Sequence, residues 1–253
     1  MSCRNHCWRV ILFFCSCAPI LHQDNELARG LQLYQDKQYA AAADHFESYH
    51  AQHPDHDSAL YYLFDCYRQM NKPEDQIKIL ERLIQIKTSD VNVYLNLLHF
   101  YRKYDRFKDL YDLISRYPEE LSGHLDKHFA LTRRLLAELI CGACKSNVNT
   151  DPLIYTISKG YLPLFPDGQL HAEDTLSNAH LVILIDRLIE PKYPRNFFPM
   201  KNVSTKSYLY LPYMRLIDSG ILPFDAYLVP ELPAHITMAV QAITALVERG
   251  HLD

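Results

Sequence analysis

Two groups of side chains in this 253-residue sequence have the types and spacing to do chemistry. Cys141-Gly-Ala-Cys144 sets two thiols three residues apart. That is the spacing at which a thiolate, stabilised by a helix N-terminus, attacks while its neighbour resolves the mixed disulfide. Here the pair follows a predicted helix, with no strand or βαβ pattern ahead of it. That context points to a local disulfide or two packed thiols, and a thiol-disulfide protein using Cys141 and Cys144 is kept as the alternative. His45, His50, His53 and His56 crowd a second stretch and raise the question of a metal. Without a carboxylate or cysteine at a repeated helical interval they are expected to form a polar, solvated turn, so no metal site and no cofactor is assigned. The sequence holds no Gly-x-Ser-x-Gly, phosphate-cradling glycine loop or His-Glu-x-x-His pattern, so no catalytic residue is assigned either and the chain is not expected to be an enzyme.

The elements that carry these residues are helical. From about residue 23 to 124 the apolar positions follow helical spacing, interrupted by turn residues such as Asp36-Lys37, Asn71-Lys72-Pro73 and Lys103-Tyr104-Asp105. Gly30, Tyr39, Ala42, Phe46 and Pro54 fall at the mutual spacings of a tetratricopeptide repeat, which this stretch resembles. Leu63, Tyr67, Ile77, Leu80 and Leu83 mark a second unit, and Tyr94, Leu97, Tyr101, Phe107 and Leu110 a third. The small-residue positions of these two are filled by Phe64, Gln76, Leu98 and Leu110, which predicts wider helix packing than in the family's standard form. The resemblance implies a groove lined by first helices of each repeat, and Tyr61, Asp65, Arg68, Asn92, His99 and Arg102 are its candidate partner-binding residues. Leu125, Phe129, Leu131, Leu135, Leu136, Leu139 and Ile140 then predict one capping or linking helix within residues 125–149.

The last hundred residues repeat at an offset of about 60. Ile157, Gly160, Leu162-Pro163, Leu176-Ser177, Ala179 and Ile183 pair with Ile217, Gly220, Leu222-Pro223, Ile236-Thr237, Ala239 and Ile243. Each copy reads as a helix ended by glycine, a proline-bearing loop and a helix opened by Ser or Thr, over residues 150–192 and 193–253. Gly160-Tyr-Leu-Pro-Leu-Phe-Pro-Asp-Gly168 followed by Leu176-Ser-Asn-Ala179 resembles the S-layer homology module, whose Gly-Phe-Pro-Asp-Gly loop leads to a helix opening Ile-Thr-Arg-Ala-Glu. The resemblance implies a helical domain that holds cell-wall polysaccharide or peptidoglycan. The family commonly assembles three modules, of which two are visible, and its arginine is replaced by Asn178 and Met238 and its glutamate by His180 and Val240. Lys159, Tyr161, Asp167, Lys201, Lys206 and Arg215 are therefore the candidate polymer-binding groups. Tyr193, Phe197, Phe198, Tyr208, Tyr210 and Tyr213 are expected to be core.

A net charge of -4, with no run of Lys or Arg longer than a pair, excludes the clustered cations of a nucleic-acid surface. Arg4 and Arg9 precede an apolar run, Val10-Ile-Leu-Phe-Phe-Cys15-Ser-Cys17, too short to span a bilayer as a mature helix. Residues 1–22 are read as an export signal resembling that of a lipoprotein, with acylation at Cys17 and membrane attachment only through that lipid or anchor. The fold expected is mostly α: a tetratricopeptide helical-hairpin solenoid followed by a helical S-layer-homology-like domain. The function expected is a non-catalytic adaptor of the bacterial cell envelope, periplasmic or outer-membrane-associated, that binds another envelope protein and wall polymer. A purely structural protein-protein scaffold is the further alternative.

Overall fold

The computed structural model describes residues 18–86, 89–144, 150–190 and 192–252. The expected acylation site, Cys17, and most of the expected signal lie outside the described residues. Twelve α-helices and no strand are found among the described residues, and none of those helices is long and apolar enough to cross a membrane. The chain divides into two units, Met1–Ser89 and Asp90–Asp253.

The first unit contains α1 (Ala18–Gln35), α2 (Tyr39–Gln52), α3 (Ser58–Gln69) and α4 (Pro73–Gln85), each packed on the next. Gly30 of α1 is needed where α1 crosses α2: a Cβ there would lie 2.8 Å from the fully buried ring of Phe46. Ala42 of α2 and Ala59 and Leu63 of α3 are likewise fully buried. In α4, Pro73 opens the helix with Glu74 and Asp75 in its first turn, where a missing N–H is harmless and negative charge meets the positive helix end.

A single backbone device ends the first helix of each hairpin. Lys37, Asn71 and Asp105 all have positive φ, in two steps of 34 residues (37 to 71, 71 to 105). In each case the N–H of the following residue, Gln38, Lys72 or Arg106, returns to the carbonyl of Leu33, Tyr67 or Tyr101 at 2.8–2.9 Å. These bonds satisfy carbonyls that the helix end would leave orphaned.

The second unit begins with the third hairpin, α5 (Val91–Lys103) and α6 (Phe107–Ser115), followed by α7 (Ser122–His128), α8 (Arg133–Ala143), α9 (Pro152–Ser158), α10 (Asn178–Asp186), α11 (Tyr210–Asp218) and α12 (Ile236–Glu248). The expected linking helix is two helices. Phe129 leaves helical geometry, and Thr132 starts a new helix by accepting the N–H of Leu135 on its Oγ1. Nor is α8 a cap on one flank: residues 135–142 are all buried, and it packs on α6, α9 and α12. At Gly142 a Cβ would meet the backbone of Phe107 in α6, so this glycine sets how closely α8 approaches.

The two glycine corners are built alike. Gly160 and Gly220 have φ of 77° and 63°. Their N–H groups donate to Ile157 and Ile217, and Tyr161 and Ile221 each donate at 2.8 Å to Thr156 and Leu216. Leu162 and Leu222 are both buried behind them. Ser177 then opens α10 with a reciprocal cap: Ser177 Oγ accepts the N–H of His180, and His180 Nδ1 accepts the N–H of Ser177. Thr237 does not play that part in the second copy, because α12 starts at Ile236, two residues before the position matching the start of α10, and Asp126 Oδ1 accepts the N–H of Ile236 at 3.0 Å.

Of the aromatic stretch expected in the core, only Tyr210 and Tyr213 are buried. Tyr193, Phe197, Phe198 and Tyr208 are exposed, because the segment joining α10 to α11 runs over the surface.

Candidate functional site

Two helix starts in the second unit share one pattern of backbone bonds, and a third is held by a side chain. At the first, Arg133 N–H donates to Asp174, Arg134 N–H to Ala172, and Leu131 accepts the N–H of Leu176. At the second, Asn178 N–H donates to Leu232, Ala179 N–H to Pro230, and Leu176 accepts the N–H of Ala234. The loop ahead of each next helix thus supplies carbonyls to the orphan N–H groups of the helix before it. Two isolated antiparallel bridges, Thr132 with Thr175 and Ser177 with Pro233, lie at the same places. The third start, that of α12, is held by Asp126 of α7, whose other carboxylate oxygen meets His235 Nδ1. The starts of α8, α10 and α12 are thus linked in series and closed by α7, which precedes α8, giving three corners: Leu131-Thr132-Arg133, Leu176-Ser177-Asn178 and Ile236-Thr237-Met238.

The sequence reading missed the first corner. Its signal was present, since Leu131-Thr132 repeats the apolar-then-hydroxyl order of Leu176-Ser177 and Ile236-Thr237. The glycine corner and proline loop that flagged the other two copies are missing from the short connection before α8.

Arg133 stands where the other corners carry Asn178 and Met238, and it is 2% exposed. One guanidinium Nη donates to the carbonyl of Pro163, the group lies 4.6 Å from the centre of the Phe165 ring, and among the described residues Nε has no hydrogen-bond partner. Burial, and then the positive charge of Arg187, push its pKa below the ordinary arginine value, with Asp174 acting against them. It lines a cavity of about 640 Å³ whose remaining walls are mainly apolar, from Pro163, Phe165, Leu176, Ala179, Ile183 and Leu184, with Asp174, His180 and the exposed Tyr208 at its polar and aromatic edges. A buried cation without an ion pair is costly, and an anion carried on an apolar or ring-shaped body complements it in both charge and surface. Asn178 at the second corner is also buried, but its amide already donates to the carbonyl of Val229 at 2.9 Å.

None of the six expected polymer-binding residues lines this cavity. Arg215 is committed to a two-point ion pair with Asp186, which joins α11 to α10 and pushes the arginine's pKa upward. Lys201 lies over the ring of Tyr227, 4.5 Å from its centre, and donates to the Tyr227 hydroxyl. Lys159 sits near the Tyr155 ring, Lys206 is exposed, and Tyr161 is half-buried beside the Gly160 corner. Asp167 is the nearest in effect. It belongs to the loop that carries Phe165 and contacts His171 Nε2 at 2.7 Å.

The expected partner-binding residues fall in two places. Tyr61, Asp65 and Arg68 are on α3, where Asp65 accepts from both the Tyr34 hydroxyl and Arg68 and so pushes the Tyr34 phenol up to about 12. Asn92, His99 and Arg102 are on α5, the first two exposed. Arg102 is not available to a ligand in this arrangement, because its Nε and Nη2 donate at 2.7 and 3.2 Å to the buried carboxylate of Glu138 in α8.

Cys141 and Cys144 are buried thiols. Burial, and then proximity to Cys144, pushes Cys141 up to about 12, the opposite of the shift that activates a nucleophilic cysteine. The histidine stretch is less solvated than expected. His53 packs 4.5 Å from the Tyr49 ring, and buried nitrogens of His50 and His53 lack partners among the described residues.

Comparison with known families identifies a tetratricopeptide repeat at residues 33–99. The repeat is a protein-interaction fold, and its range takes in α2 to α4 and most of α5. No curated protein and no solved structure matches the chain.

Proposed function

We propose that this protein is a non-catalytic adaptor of the bacterial cell envelope: its tetratricopeptide repeats bind another envelope protein, and its three-cornered helical unit binds an acidic cell-wall polymer. The observation that carries the second half is Arg133, a buried cation whose Nε has no hydrogen-bond partner among the described residues, at the wall of a mainly apolar cavity. The S-layer homology resemblance supports the same assignment. Leu131-Thr132-Arg133 supplies the third copy and the arginine that the two copies visible in the sequence lack. The exposed Phe165 and Tyr208 offer ring faces to a sugar. Attachment through Cys17, if the chain is acylated there, would hold the same unit near a membrane surface.

Co-sedimentation with purified wall sacculi tests this reading. The full chain is expected to sediment at low salt, and Arg133→Gln to lose at least tenfold in affinity, whereas Lys201→Gln keeps it. Failure of the unaltered chain to sediment, or equal sedimentation by Arg133→Gln, overturns it.

A further inference from the structure

In the loop that forms one wall of the Arg133 cavity, one imidazole bridges two carboxylates. His171 sits at φ of 48°, a left-handed conformation uncommon outside glycine but more accessible to histidine than to most residues. Its Nε2 lies 2.7 Å from Asp167 Oδ2 and its Nδ1 lies 3.0 Å from Asp174 Oδ2. A carboxylate only accepts, and a neutral imidazole carries one N–H, so both contacts can be hydrogen bonds only when the ring is protonated. The His171 ring packs 4.4 Å from Phe165, which in turn faces the Arg133 guanidinium. The position of Phe165 against Arg133 therefore depends on what holds His171.

We infer that His171 is a proton-operated clip on this cavity, closing Phe165 against Arg133 in acid and releasing it as the pH rises; the inference rests on the polymer-binding reading above and adds its regulation. The loop divides at the clip. Ala172 and Asp174 are fastened to α8 through the N–H groups of Arg134 and Arg133, whereas the segment from Leu164 to His171 carries Phe165 and is exposed over most of its length. Loss of the second N–H frees Asp167 or Asp174 and lets that outer segment move. The titratable and charged groups of the loop and the helices packed against it are Asp167, Glu173 and Asp174 on the loop, Arg133 and Arg134 from α8, and His180 on α10, with Arg187 acting on Arg133. Arg134 is itself paired with Asp151 and Glu173. The Asp167 hydrogen bond, ahead of the charge of Asp167 and the contact with Asp174, shifts His171 above the ordinary histidine pKa. The sign follows: the closed form is complete below the unfolded histidine value and is lost as pH rises through the elevated folded one.

The test uses the full chain with isotope-labelled histidine. Ring titration by NMR is expected to place His171 above the ordinary value of about 6.5. Amide exchange, corrected for intrinsic rates, is read at Gly168, Gln169 and Asp174, whose N–H groups are bonded within the loop. Protection there is expected to fall at least threefold between pH 5.5 and 8.5, and affinity for N-acetylmuramic acid as probe to fall by a similar factor. In His171→Gln, which keeps His180, both quantities are expected to be flat across that range. A His171 titrating at or below 6.5, or pH-independent protection in the unaltered chain, overturns the clip. If protection responds to pH but the probe binds at neither pH, the clip stands and the polymer reading falls. If the probe binds with unchanged affinity and protection is flat, the reverse holds.

Discussion

Replacing Gly142 with alanine is expected to destabilise the second unit, although the substitution ordinarily favours a helix. Inside α8 the loss of glycine's backbone freedom would contribute about 0.5–1 kcal/mol of stability. Against that, the new Cβ would lie 2.7 Å from the carbonyl carbon of Phe107 and 2.9 Å from Tyr111 Cβ, and would press on the Phe107 carbonyl oxygen as well. Two of these are backbone atoms of another helix, so no rotamer change relieves the overlap and α6 must move away from α8. Overpacking of a buried site costs ~1–3 kcal/mol, and a backbone obstacle belongs at the upper end of that range. The net loss is about 2 kcal/mol. For a unit of this size it lowers the melting temperature by about 4–8 °C. Urea and thermal unfolding followed by circular dichroism read both numbers. Gly123→Ala is the control, since an added Cβ there meets nothing within 4 Å. Unchanged or increased stability of Gly142→Ala would refute the packing account of the Cys141-Gly-Ala-Cys144 spacing and reopen the redox reading.

The remaining predictions concern a turn, a cap and the thiols. Lys37→Gly relieves a left-handed lysine that costs ~1–2 kcal/mol and gives back part of it as unfolded-chain entropy, for a net gain of about 0.5–1 kcal/mol in urea unfolding. Asp126→Ala removes the acceptor for Ile236 N–H and the partner of His235, and should cost about 1–2 kcal/mol, with Asp126→Asn recovering much of it; equal melting of all three proteins would argue against closure of the third corner. With Cys66 pushed up to about 11 and Cys141 to about 12, mainly by burial, native iodoacetamide labelling at pH 8.5 should be at least a hundredfold slower than for a free thiol near its own pKa of about 8.5. Rapid labelling of Cys141 in the folded chain would contradict that environment.

The repeats were legible because their determinants are local. Gly30, Ala42 and Phe46 are small or large where neighbouring helices meet, and the turns at Lys37, Asn71 and Asp105 recur with the period of the hairpin. The paired glycine corners were legible for the same reason. Residues 124–144 misled because Leu125, Phe129, Leu131 and Leu135 keep helical spacing across a break that only Thr132, as a helix-opening hydroxyl, announces. Arg133 escaped notice because a lone arginine reads as solvated surface until the fold buries it beneath Pro163 and Phe165. Arg102 and Arg215 read as free binding groups because their partners, Glu138 and Asp186, are 36 and 29 residues distant, and nothing in the local pattern foretells either pairing. Exposure of Tyr193 and Tyr208 is likewise set by the path of the chain between α10 and α11 and not by ring type.

Closure of the three corners by Asp126, 110 residues before Ile236, gives the second unit the character of an arch and not of a stack. A stack of repeats can lose its outermost member and keep the rest. An arch cannot, because each start leans on the loop of the next and the last leans back on the helix ahead of the first. A fragment ending at residue 192 would leave Asn178 and Ala179 without the carbonyls of Leu232 and Pro230, so the cavity at Arg133 is a property of the whole unit and not of the segment that lines it.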